Sequence, residues 1–152
     1  MDSCLERVEA EILRATSGMS PEQMAWHPEG KWSAAQVLEH LTLAFSGTAK
    51  GMERALTGEI TCPPRTMRNR FNALVVVSLG YMPEGRQAPK GTVPGEGDPQ
   101  NAVSKIIANL AAMDAAIAKV EAAKGASVRL RHPILGPLTL PQWRKFHWVH
   151  TA

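Results

Sequence analysis

Apolar residues recur at intervals of three and four in four long stretches of the chain, each bracketed by residues that start or stop helices. In the first, Leu5, Val8, Ile12 and Ala15 mark one helical face. Ser3 opens it, with Glu6 three residues later, a spacing that lets each side chain satisfy the other's orphaned amide, and Gly18 ends it. A turn-rich connector, GMSPEQMAWHPEGKW, predicts one helical turn after Ser20, with Pro21 at its first position. The second long helix starts at Ser33, with Gln36 completing another reciprocal cap, and runs to about Leu56, where Gly58 stops it. Its stripe is Val37, His40, Leu41, Ala44, Phe45 and Thr48.

A shorter helix is expected over residues 65–80, although the β-branched run at Val75, Val76 and Val77 also suits a strand. Residues 82–99 are rich in proline and glycine and have no periodicity, so they read as a long loop, and loops of that length are usually functional or disordered. An alanine-rich helix follows, capped by Asp98 with Pro99 in its first turn. Val103, Ile106, Ile107, Leu110, Met113, Asp114, Ile117 and Val120 form its stripe, and Gly125 lies just past its end. RLRHPILGPLTLPQW reads as a turn-rich crossover. The last helix begins near Leu140, with Thr139 as cap, Pro141 in the first turn and Gln142 closing the box, and it still continues at Ala152.

Four long amphipathic helices, one extra short helix and little strand signal predict an all-α four-helix bundle with a long Pro/Gly-rich loop, formed by one domain over residues 1–152. Composition agrees: hydrophobic residues make up 44% and charged residues 20%, which excludes a disordered chain. The net charge of +3 is too small to indicate nucleic acid, although Arg65, Arg68 and Arg70 form a basic run that otherwise reads as a solvated face. Cys4 and Cys62 lack the spacing of a redox pair or zinc knuckle. With no signal peptide and no apolar run near the roughly 20 residues of a membrane span, a reducing cytoplasm is the expected setting and no membrane partner is expected.

Histidines are the candidate chemistry. His40 falls on the inner stripe of the second helix, and Trp143, Phe146, His147 and His150 share one face of the last. Imidazole is the commonest metal-ligating side chain, and facing helices are a standard place to assemble such a site. Neutral core histidines are the alternative, and the pattern alone leaves both readings open. His27 and His132 each precede a proline, which favours extended backbone, so they read as turn residues, with His132 also placed to line the mouth of a site. Gln36 is expected to cap its helix rather than support His40, and Asp114 to pair at the edge of the helices rather than orient a ligand. Glu39, adjacent to His40, points about 100° away from it and makes a poor general base. The four tryptophans are expected to anchor core and loops.

KWSAAQVLEHL at 31–41 resembles the second helix of the DinB/YfiT-like superfamily of metal-binding four-helix bundles. HPILGPLTLPQWRKFHWVH at 132–150 resembles the entry to the last helix in an uncharacterised branch of it. The resemblance implies one divalent ion, zinc or nickel, held by three histidines, one from the second helix and two at i, i+4 on the last. His40 matches the first and His150 the second. The i+4 partner of His150 would be position 154, which the sequence does not reach, so the chain is expected to stop inside its site helix. His147, three residues before His150, is the substitute ligand, outside the family's spacing.

Relatives of this kind look like metal-dependent hydrolases or transferases that use a low-molecular-weight thiol. The absence of an evident general base leans toward thiol transfer, with the 82–99 loop as lid or pocket wall. A homodimer is expected both from the resemblance and from the small-residue face of ANLAAMDAAIA. The competing function is a non-catalytic, structural or stress-related helical dimer whose histidines belong to the core.

Overall fold

A computed structural model describes residues 1–58, 64, 66–82 and 87–152, and these are mostly helical. Helix α1 spans Ser3–Thr16, α2 Pro21–Ala25, α3 Ala34–Leu56, α4 Met67–Ala73, α5 Ala102–Lys124 and α6 Leu140–Thr151. Between α5 and α6 lie two short strands, β1 (Arg129–His132) and β2 (Gly136–Thr139). α3 lies along α5, α1 packs on both α5 and α6, and α2 rests on α3. The core fills the spaces between them with Leu5, Val8, Leu41, Phe45, Met52, Ile106, Leu110, Met113, Ile117 and Leu138, all essentially inaccessible to solvent.

The caps explain most of the boundaries. Ser33 with Gln36 and Thr139 with Gln142 form the expected reciprocal pairs, and Ser20 forms a further one with Gln23 at the turn expected there. α1 is capped differently: Asp2, not the Ser3–Glu6 pair, accepts from the amide of Cys4 at 2.9 Å. α5 starts later than expected. Asp98 accepts from the amide of Asn101 in a turn before the helix and pairs with Lys105, and helical backbone begins at Ala102.

The segment assigned to 65–80 is narrower and of two kinds. Thr66 caps α4 together with Asn69, and the valine run continues it as a π-helical turn over Leu74–Ser78 rather than a strand. Arg65 and Cys62 lie outside the described residues.

The hairpin replaces the predicted irregular crossover. β1 and β2 pair antiparallel, with Leu130 opposite Leu138 and His132 opposite Gly136. Gly136 has φ +72°, and a Cβ there would meet the Asn69 side chain at 2.7 Å, so the hairpin is seated directly on α4. Asn69 also donates to the carbonyl of Ile134 at 3.2 Å, and Trp143 Nε1 donates to the carbonyl of Leu130 at 3.4 Å. These contacts fix where His132 enters the interior.

Other expectations are corrected at the surface. Val37 and Trp26 are exposed, not packed, and Trp148 is half-buried beneath the guanidinium of Arg7, 4.0 Å above its ring. Among the described residues no helix is long and apolar enough to cross a membrane.

Candidate functional site

Two imidazoles from α3 and α6 meet. Nε2 of His40 and Nε2 of His150 are 3.1 Å apart. His40 Nδ1 donates to the carbonyl of Thr92 at 2.7 Å. A carbonyl only accepts, so the His40 proton sits on Nδ1 and its Nε2 presents a lone pair toward His150. The tautomer that a metal ligand needs is therefore set by the backbone of the 87–98 segment.

That segment is itself pinned to α3. Glu39 accepts from the amides of Gly95 (3.0 Å) and Gly97 (3.1 Å), while Gln36 Nε2 donates to the carbonyl of Gly95 at 2.9 Å. Glu39 thus points away from His40 as expected and holds the loop that orients it. Gln36 caps and clamps, and makes no bond to His40. The expected pocket wall is present in part: Gln87, Ala88, Pro89, Gly91 and Thr92 line the cavity beside the pair, whereas residues 83–86 lie outside the described residues.

Rings enclose the pair. Trp32 lies 5.2 Å from His40, and Phe146 stacks on His150 at 5.3 Å with only 14° between planes. Nδ1 of His150 is buried without a partner. Burial first, and then the neighbouring His40 ring, pull the His150 pKa down to about 4, so this ring is neutral near pH 7.

His147 does not join them. Its Nε2 lies 3.0 Å from the hydroxyl of Thr48, its ring packs edge-on against Phe45, and it has no solvent exposure. Burial first, then the neighbouring His150 and His132, hold its pKa well below the usual 6.5. Among the described residues no three His, Cys, Asp or Glu side chains form a set that would hold a metal. The donor chemistry therefore suits two ligands of one ion. Two nitrogens at about 2.0–2.1 Å from a tetrahedral zinc lie roughly 3.3 Å apart, close to the separation of His40 and His150.

His132 is the residue that sequence reasoning placed least well. Read as a turn residue, it is instead the buried end of β1, and it lines the cavity as its placement beside the site had suggested. Its Nδ1 accepts from the amides of Ile134 (3.2 Å) and Leu135 (3.1 Å), and its ring packs 4.4 Å from Phe146 and 5.1 Å from Trp143. Burial, with a smaller effect from His150, brings its pKa down to about 4. The available signal was the alternation in RLRH, which puts Leu130 and His132 on one strand face.

These imidazoles border one cavity of about 870 Å³. Much of its wall is apolar, with Met52, Val75, Val76, Leu130 and Leu135 among the lining residues. Arg54 and Arg131 also line it, and among the described residues no carboxylate does. The remaining candidates lie elsewhere. Asp114 sits 4.0 Å from the Met1 amino group, Arg68 and Arg70 are exposed on α4, and His27 is an exposed loop residue.

A family model described as a protein of unknown function, DUF1569, matches residues 9–152. No curated protein and no solved structure matches the chain.

Proposed function

For this chain, which belongs to the DUF1569 family, we propose a small-molecule enzyme whose chemistry centres on His40 and His150 as paired ligands of one divalent ion. The observation that carries the proposal is the 3.1 Å approach of the two Nε2 atoms at the wall of a large, mainly apolar cavity, with the His40 lone pair directed by the Thr92 carbonyl. A hydrogen-bonded core pair would use the same tautomer but would not need the cavity.

The packing of α1 on α5 and α6, and of α3 on α5, supports a four-helix bundle of the DinB/YfiT-like kind. In that arrangement the pair lies between the second and last long helices.

Zinc or nickel bound there would acidify a coordinated water or thiol toward neutral pH, which serves hydrolysis and thiol transfer alike. The chain's own residues supply the rest. Thr92 O fixes the His40 ring, Trp32 and Phe146 pack against the pair, and the apolar wall binds the carbon skeleton of a substrate. With no carboxylate on the described wall to act as base, a substrate that brings its own acidic proton, such as a low-molecular-weight thiol, is favoured over water.

The test is titration of metal-free protein with Zn²⁺ and Ni²⁺, followed by calorimetry and elemental analysis. One ion per chain is expected, lost in His40→Ala and His150→Ala and retained in His147→Ala. Equal binding by wild type and His40→Ala would overturn the proposal and leave the histidines as core residues.

A further inference from the structure

We infer that His132 is a fixed hydrogen-bond donor of the cavity, directed at an acceptor oxygen on a largely apolar small molecule. The inference rests on the cavity being the ligand site and names the class of molecule it takes.

The tautomer of His132 is fixed by its neighbours. The two groups on His132 Nδ1 are backbone amides, of Ile134 and Leu135, and amides only donate. Nδ1 must therefore hold the lone pair, and the neutral ring carries its proton on Nε2. That atom has no protein partner among the described residues, and His132 lines the cavity.

The donor is also immobile. Phe146 and Trp143 pack against the ring, the pairing of His132 with Gly136 sets its backbone, and Asn69 leaves no room for the hairpin to shift toward α4. A donor held in place before the ligand arrives loses little freedom on binding, so its hydrogen bond contributes more to affinity.

The surroundings select the complement. A group that only donates rejects another donor. Arg54 and Arg131 on the wall, with no carboxylate on the described part of it, reject a cation. Phe146 packs against both His132 and His150, and all three line the same cavity. The geometry thus fits a carboxylate, ester or amide head on an apolar body, and disfavours amines.

The experiment uses full-length ¹⁵N-labelled protein without added metal, with octanoate, octanamide and octylamine as probes. Ring ¹⁵N shifts should show His132 protonated on Nε2 and bare on Nδ1. Octanoate and octanamide should move the Nε2–H resonance, and octylammonium should not. His132→Asn keeps an oxygen that can accept the turn amides but withdraws the donor, and His132→Phe keeps the ring packing. Each should bind octanoate at least tenfold more weakly than wild type. A bare Nε2, unchanged octanoate affinity in both variants, no binding of either acceptor probe, or equal binding of octylammonium would each overturn the inference. Because no metal is present, these readouts stand apart from whether the His40–His150 pair takes zinc.

Discussion

The hydroxyl of Thr48 and Nε2 of His147 meet at 3.0 Å in the core, a pairing that removes one of the two inward histidines of α6 from the reach of His40. α6 has turned so that His150 faces α3 near the Thr92 segment, while His147 faces it two turns further along, at the hydroxyl of Thr48. Replacing Thr48 with valine keeps the volume and deletes the partner. The buried ring then lacks hydrogen bonds on both nitrogens, since Nδ1 already has none. A loss of about 1–3 kcal/mol is expected, measured by urea unfolding, with zinc affinity at His40–His150 unchanged. A stability equal to wild type would mean that the bond contributes nothing.

The loop that orients His40 gives the second prediction. Gly97 has φ +80°, and a Cβ there would stand 3.0 Å from Ala35 Cβ and 3.2 Å from the Gln36 amide nitrogen. Gly91, in the same segment, has open space around it and no positive φ. Gly97→Ala should therefore cost about 1–3 kcal/mol and speed amide exchange at Gly95, whereas Gly91→Ala should be close to neutral. Glu39→Ala, which removes the acceptor of both glycine amides, should reproduce the exchange effect. Similar behaviour of Gly91→Ala and Gly97→Ala would refute this account of the loop.

These contacts also show how far the sequence was legible. Caps are local chemistry, so Ser33 with Gln36 and Thr139 with Gln142 located two helix starts correctly, and the stripes of α3 and α6 correctly brought His40 and His150 inward. The hairpin was not legible. Its strands are four residues each and carry Pro137, too short for a period-2 pattern to stand out from turn chemistry. His132 was misjudged for the same reason, because its burial depends on the pairing with Gly136. The separation of His147 from His150 was equally hidden: both share a helical face, and only the long-range bond to Thr48 distinguishes them.

Arg144 carries a third prediction that no periodicity announced. It is buried on α6, with its guanidinium 2.6 Å from Glu121 on α5 and 3.8 Å from Asp2 at the start of α1, so one cation ties three helices together. Arg144→Ala removes the cation shared by two partly exposed carboxylates and opens a void where its buried stem packed. We expect a loss of about 3 kcal/mol, mainly from the void, against about 1 kcal/mol for Glu121→Gln, whose partner keeps Asp2 and whose side chain is partly solvated. Thermal unfolding of the two variants decides it, and equal losses would mean that the ion pair, not the packing of the arginine stem, carries the stability.

The buried imidazoles give the last prediction. The pKa values of His132 and His150 stand at about 4, and that of His147 lies well below 6.5, each chiefly through burial. In the unfolded chain these rings take up protons near 6.5, so as pH falls below that value the unfolded state binds more protons than the folded one. Stability is then fully present above pH 6.5 and declines as pH falls toward 4, where His132 and His150 at last protonate in place. A ring with these two values contributes a loss of about 2 kcal/mol between pH 7 and pH 5. Carboxylates titrate mostly below this window, so the decline reports the histidines. Metal-free protein unfolded in urea at half-unit steps should show a steady fall of at least about 3 kcal/mol over that range, with the midpoint moving and the slope of the transition constant. Zinc bound to the deprotonated pair keeps His150 unprotonated in the folded state while the unfolded ring still takes up its proton, so the His150 share of the fall should persist with zinc bound. A profile level from pH 7 to pH 5 would mean that these rings are solvated or already charged, and that burial around Phe146 does not govern their titration.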